Sequence, residues 1–142
     1  MYKNILLPID LGDASSWKAA LPAAVELAEK FDSKIHTVTI VPNLHVSEAW
    51  MYLPENFEET AVAKTAEKLK EFAAEHVPEK IRGNAYVGHG VIRNEIVNAT
   101  EKLNCDVVVM APHRPEMLDF LLSPNTEFVV KHSKRSVIVV RE

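Results

Sequence analysis

The chain has 142 residues, 47% of them hydrophobic and 25% charged, with a formal charge of -4 from sixteen basic and twenty acidic side chains. That length fits one domain, residues 1–142, with a single substantial core, and the charge balance argues against nucleic acid or an acidic membrane as the principal partner. Apolar runs such as Val107 to Ala111 are far shorter than the roughly 20 residues of a membrane span, and "MYKNILLPID" reaches Pro8 and Asp10 before any signal-like stretch develops, so a cytoplasmic protein is expected.

"NILLPI", Asn4 to Ile9, reads as a first strand. After the turn residues Gly12, Asp13 and Ser15, apolar positions Trp17, Ala20, Leu21, Ala24, Leu27, Ala28 and Phe31 recur at three- and four-residue steps and predict an amphipathic helix. Pro22 interrupts that pattern at a cost of ~3 kcal/mol in an unrelieved helix, which predicts a kink or a late helix start. "KIHTVTIV", Lys34 to Val41, is rich in β-branched residues and reads as a second strand closed by Pro42. The long connection that follows holds "EAWMYLPENF", whose Trp50, Met51, Tyr52, Leu53 and Phe57 show no clean period. Such a loop is either a lid or interface, or packs on the protein's own surface.

From Glu58 to His76, Val62, Ala66, Leu69 and Ala73 mark one face of a second helix. "IRGNAYVG", Ile81 to Gly88, reads as a third strand. "GHGVIR" after it begins like a dinucleotide fingerprint but has Arg93 at the third glycine position, so Gly90 is read as a turn residue with positive φ. Ile92, Ile96, Ala99 and Leu103 stripe a third helix. "CDVVVMA", Cys105 to Ala111, is nearly continuous in apolar residues, as in a central strand covered on both faces, and its lone cysteine reads as a buried structural thiol that excludes a disulfide framework. A short helix near Thr126 to His132 and a strand "SVIVVR", Ser136 to Arg141, finish the chain. The alternation implies an α/β fold, an open parallel sheet with helices on both faces and right-handed crossovers. Ligands of such sheets bind beyond the carboxyl ends of the strands, where the winding reverses.

The chain lacks a Walker loop, a zinc-protease helix motif and a nucleophile elbow. Its histidines have no metal-ligand spacing, so no metal site is expected. His113 reads as a solvated loop residue and "KHSKR", Lys131 to Arg135, as cations complementing a helix carboxyl end. No catalytic residue is assigned, and an enzyme is not expected.

"NILLPID", "VGHG", "DVVVMAPHRP" and "LLSPNTEFVVKHSKRSVIVVR" match in order and spacing across essentially the whole chain, which resembles the universal stress protein family, most closely its small single-domain F-like branch. The resemblance implies a five-stranded parallel sheet in order 3-2-1-4-5, of the adenine nucleotide alpha hydrolase-like kind. It also implies a cleft for ATP or another adenine nucleotide, with or without Mg2+, used in a regulatory rather than catalytic way. Nucleotide-binding members carry a glycine, two residues, a glycine, nine residues, then a glycine followed by serine or threonine. These positions map to Ala111, Arg114, Ser123 and Pro124, and all four depart from the pattern. Pro8 and Asp10 after strand one, Val41 at the end of strand two and Met110 before the loop also carry over as ligand-contacting positions.

A phosphate loop converges backbone N–H groups on a helix amino end, and Pro112 and Pro124 have none to give. Ser123 followed by Pro124 is nevertheless a good helix start. Asn125 and Thr126 retain N–H groups, Ser123 a hydroxyl, and Arg114 a guanidinium suited to phosphate. Asp10 is read either as a ligand contact or as an Asx turn. The family pairs its terminal strand across a twofold axis, so a homodimer through Ser136 to Arg141 is expected. The alternative is a nucleotide-free dimeric module that contacts a protein partner through the loop around Trp50 and Tyr52.

Overall fold

The computed structural model describes residues 1–43, 48–112 and 122–142, with the side chains of Ala49 and Trp50 outside that set. β1 (Asn4–Pro8), β2 (Lys34–Pro42), β3 (Arg82–Gly90), β4 (Val107–Met110) and β5 (Ser136–Val139) form one parallel sheet in the order β3-β2-β1-β4-β5. Four helices connect them: α1 (Ala20–Phe31), α2 (Phe57–His76), α3 (Ile92–Lys102) and α4 (Pro124–His132). This is the expected α/β architecture and strand order. No helix among the described residues is long and apolar enough to cross a membrane.

The unbroken apolar run of β1 follows from its position, since β2 and β4 flank its two edges and helices cover its two faces. Leu7 and Ile9 pack with α1 and α2 on one face, and Leu6 packs on the other with Val38, Val108 and Ile96 of α3 and Val129 of α4. Cys105, buried just before β4, has its thiol pKa pushed up to about 12, chiefly by burial and further by Asp106. It is a packing residue.

Of the two expectations raised by Pro22, the late start is the outcome. A 3-10 turn at Ala14–Ser16 precedes α1, which begins at Ala20, so Pro22 falls in the first turn, where a missing N–H has no intrahelical acceptor. Trp17 therefore lies ahead of the helix, yet it still packs edge-on against Phe72 at 5.1 Å and beside His76 at 4.9 Å. Other boundaries move for similar local reasons. β3 runs to Gly90, at φ 140, because β2 extends to Pro42 and supplies its partner, and α4 starts at Pro124 because Ser123 caps it.

At the opposite end of the sheet from the β1 carboxyl terminus, one buried histidine repairs an irregularity in the ladder. The β2–β3 register shifts between Ile35 and Thr37, and the N–H of Asn84 donates to His36 Nδ1 at 2.9 Å. Because Nδ1 accepts, Nε2 carries the proton and donates to Asn4 Oδ1 at 2.9 Å. Gly83 is required beside the ring, since a Cβ there would lie 2.6 Å from His36 Nδ1 and 2.9 Å from the Ile35 carbonyl oxygen. Close by, one Asp106 carboxylate oxygen accepts the N–H groups of both Lys3 (2.7 Å) and Asn4 (2.8 Å) and pins the start of β1 to β4.

Burial holds the His36 pKa below the usual histidine value. A neutral ring in the fold and a protonatable one in the unfolded chain mean that the unfolded state binds more protons below about pH 6.5, so stability falls as pH drops toward the folded-state pKa. Urea midpoints measured between pH 7.5 and 5.5 should decline more steeply for the wild type than for His36→Gln, which cannot titrate there. Equal slopes would remove His36 from the pH response.

Candidate functional site

β1 ends at Pro8, and its last rung is closed by the N–H of Ile9 donating to the Val38 carbonyl at 2.7 Å. β2 runs on to Pro42. Peptide groups alternate in direction along a strand, so if Val38 faces β1, Val41 faces β3 and Ile40 again faces the β1 side, where the ladder has stopped. The Ile40 N–H and C=O are thus turned toward the gap at the switch point. A cleft of about 720 Å³ occupies that gap, a size suited to a small organic ligand.

Its walls come from four places. β2 gives Val38, Thr39, Ile40 and Pro42, α3 gives Ile92 and Ile96, the end of β4 gives Met110 and Ala111, and the start of α4 gives Ser123 to Thr126. Pro8, Ile9 and Asp10, with Asp13, Ser15 and Ser16 of the following turn, complete the rim. An apolar slot with a polar rim results. The Asp10 carboxylate accepts the Gly12 N–H at 3.0 Å, an Asx turn, while its backbone N–H donates to Ser16 Oγ at 2.9 Å. The Asx-turn reading of Asp10 holds, and the residue is exposed at the rim of the cleft. Asp13 caps the 3-10 turn by accepting Ser15 N–H at 3.0 Å and Ser15 Oγ–H at 2.7 Å.

The start of α4 is tied to the end of β4 by side-chain hydroxyls. Thr126 Oγ1 donates to the Ala111 carbonyl at 2.9 Å, Ser123 Oγ donates to Thr126 Oγ1 at 2.9 Å, and Ser123 Oγ in turn accepts the Thr126 N–H at 3.2 Å. The Ser123 N–H donates to the Pro112 carbonyl at 2.8 Å. Thr126 is buried, and sequence reasoning did not select it as more than a source of N–H groups. Its signal was a hydroxyl three residues beyond a serine cap.

Of the positions singled out from sequence, the structure brings Pro8, Asp10, Met110, Ala111, Ser123, Pro124 and Asn125 to the cleft. Val41 does not line it, whereas Ile40 and Pro42 on either side do. His113 and Arg114 lie outside the described residues. Among the described residues, no group of three or more His, Cys, Asp or Glu is placed to hold a metal ion.

Replacing Thr126 with valine keeps its shape and removes the bonds of its buried hydroxyl to the half-buried Ala111 carbonyl and to Ser123 Oγ. The expected loss is about 1–3 kcal/mol in urea denaturation. A loss below about 0.5 kcal/mol would mean that the hydroxyl bridge does not hold the two segments together.

The universal stress protein family model matches residues 1–141. Universal stress protein G of Escherichia coli O157:H7 is 28% identical over 143 aligned residues, covering 99% of this chain and 100% of the relative. The universal stress protein UspA structure from Lactobacillus plantarum superposes with a TM-score of 0.71 at 25% identity, covering 99% of this chain and 98% of that one. More distant structures share the fold. A universal stress protein in complex with cAMP has a TM-score of 0.64 at 16% identity, covering 99% of this chain and 97% of that one. An Arabidopsis thaliana family protein with AMP bound has a TM-score of 0.60 at 14% identity, covering 97% and 90%. With the family model matching residues 1–141, this chain belongs to the universal stress protein family.

Proposed function

We propose that this chain is a cytoplasmic, dimeric stress-response protein that binds an adenine nucleotide, ATP or a related one with or without Mg2+, in a regulatory and non-catalytic way. The observation that carries this reading is the 720 Å³ cleft at the switch point, into which Ile40 turns an unladdered N–H and C=O. Adenine presents an amino donor beside a ring-nitrogen acceptor, the complement of that peptide pair. Val38, Ile92, Ile96 and Met110 offer the apolar faces a flat base needs. The AMP and cAMP complexes of two fold relatives point to the same ligand class.

A non-catalytic role is supported by the makeup of the walls. The described lining contains no histidine, cysteine or lysine, and Ser16, Ser123 and Thr126 use their hydroxyls in structural hydrogen bonds. Dimerisation is supported by β5, which is the edge of the sheet and carries Val137, Ile138 and Val139, with Val140 just beyond it, as partly exposed apolar residues. A protein-interaction module without nucleotide is the second reading, favoured by Met51 and Tyr52, which are 72% and 90% exposed.

Calorimetry on nucleotide-stripped protein should show saturable binding of an adenine nucleotide in the micromolar to roughly millimolar range. Ala111→Phe, which fills the slot beside Met110, should abolish it, and Ile92→Ala should weaken it by roughly three- to tenfold through lost apolar contact. Absence of binding to AMP, cAMP and ATP alike would sink the nucleotide reading and select the interaction module. Sedimentation at tens of micromolar should give a dimer, and a monomer there would count against pairing through β5.

A further inference from the structure

The sheet has two edges, and they are built differently. β5 is four residues long, whereas β3 runs for nine and pairs with β2 alone. β3 contains neither proline nor lysine, residues that commonly blunt an exposed edge. Its peptide directions follow from one bond. The Asn84 N–H turns toward β2, where it meets His36 Nδ1 at 2.9 Å, so the peptides of Tyr86 and Gly88 turn the same way. Ala85, Val87 and His89 therefore turn their N–H and C=O groups away from the sheet, and no described residue bonds to them. The register irregularity between Ile35 and Thr37 confines the regular part of this edge to the stretch from Ala85 onward.

The side chains along that stretch alternate. Ala85 and Val87 pack on the α1–α2 face, while Tyr86 lies on the face covered by α3. Glu95 of α3 lies over the two glycines of the strand. A Cβ on Gly88 would meet Glu95 Cβ at 3.3 Å, and one on Gly90 would meet Glu95 Oε1 at 3.3 Å. Toward the other end of α3, Lys102 Nζ donates to Tyr86 Oη at 2.9 Å and lies 5.5 Å from the centre of its ring. The α3 border of the edge is thus negative beside Gly88 and positive beside Tyr86, with Val87 midway between them.

We propose that β3 pairs antiparallel with β3 of a second copy of this chain, about a twofold axis through Val87. In that register Val87 faces Val87 of the partner subunit, and Ala85 faces His89 of the partner subunit. The outward groups of all three residues then satisfy one another in about six main-chain hydrogen bonds. Tyr86 comes opposite Gly88 of the partner subunit, an aromatic ring beside a residue with no side chain of its own. Lys102 comes alongside Glu95 of the partner subunit, and the symmetry repeats that pair. Charge also selects the register: an axis through Tyr86 brings the two Lys102 side chains together, and one through Gly88 brings the two Glu95 side chains together. The pairing uses the edge opposite β5 and depends neither on the adenine reading nor on a dimer through β5.

The test is amide hydrogen exchange followed by NMR on the wild-type full chain, at roughly tens of micromolar and at roughly millimolar protein. The N–H groups of Ala85, Val87 and His89 should exchange at least about fivefold more slowly at the higher concentration, with those of Tyr86 and Gly88 protected at both. The amides of Val137 and Val139 report β5 separately. Lys102→Glu and Glu95→Lys should each release the three outward amides, and the double variant, which exchanges the charges, should restore their protection. Val87→Pro, which removes only an outward N–H from the ladder, should abolish the concentration dependence. Fast exchange of the three amides at both concentrations, or slow exchange that neither Lys102→Glu nor Val87→Pro changes, overturns the proposal. Concentration-dependent protection confined to Val137 and Val139 also overturns it and leaves association to β5 alone.

Discussion

The organisation of the molecule depends on β1 stopping before its neighbour. It is bonded on both edges and covered on both faces, the most constrained position an open α/β sheet offers. It nonetheless ends at Pro8, while β2 continues to Pro42. Because α1 and α2 lie on one face and α3 and α4 on the other, the chain leaves the carboxyl end of β1 toward one face and that of β4 toward the other, and the cleft opens between the two connections. Pro8 itself contributes, since proline cannot continue a ladder from its nitrogen. The cleft is therefore a product of strand length and winding direction before any side chain within it is considered.

Much of this was legible in the residues. Continuous apolar runs marked the doubly covered strands, three- and four-residue spacing marked the helices, and the alternation of the two implied a parallel sheet. Strand parity was harder to read. Val41 and Ile40 are adjacent, and which of them turns its peptide toward the β1 side is decided by the register of β2 on β1, a long-range fact that β2 does not encode. The His36 bulge was hidden for a related reason: a histidine in "KIHTVTIV" looks like one polar residue on a strand until Asn84 and Asn4 arrive from two other strands. Cys105 and the Ser123–Pro124 cap were readable because burial and capping are local properties.

The junction of β4 and α4 departs from the glycine pattern of nucleotide-binding members at Ala111, Arg114, Ser123 and Pro124. Glycines at a strand-to-helix junction allow the backbone to come close to an anion. Here the junction is held by hydroxyls, with Ser123 and Thr126 closing a ring of hydrogen bonds onto Ala111. The same bonds that secure the helix occupy amides a phosphate would otherwise meet.

That ring of bonds also has a consequence for how the segment between its ends can change over evolutionary time. Residues 112 and 123 are joined by a backbone hydrogen bond and braced by Thr126, so closure of the intervening stretch is fixed by groups outside it. The free energy of closing a loop grows only logarithmically with its length, about 0.6 kcal/mol per doubling. A single insertion or deletion there is nearly neutral for the fold. The Ser123–Pro112 bond and the Thr126 brace thus set the two ends of the connection independently of the residues between them.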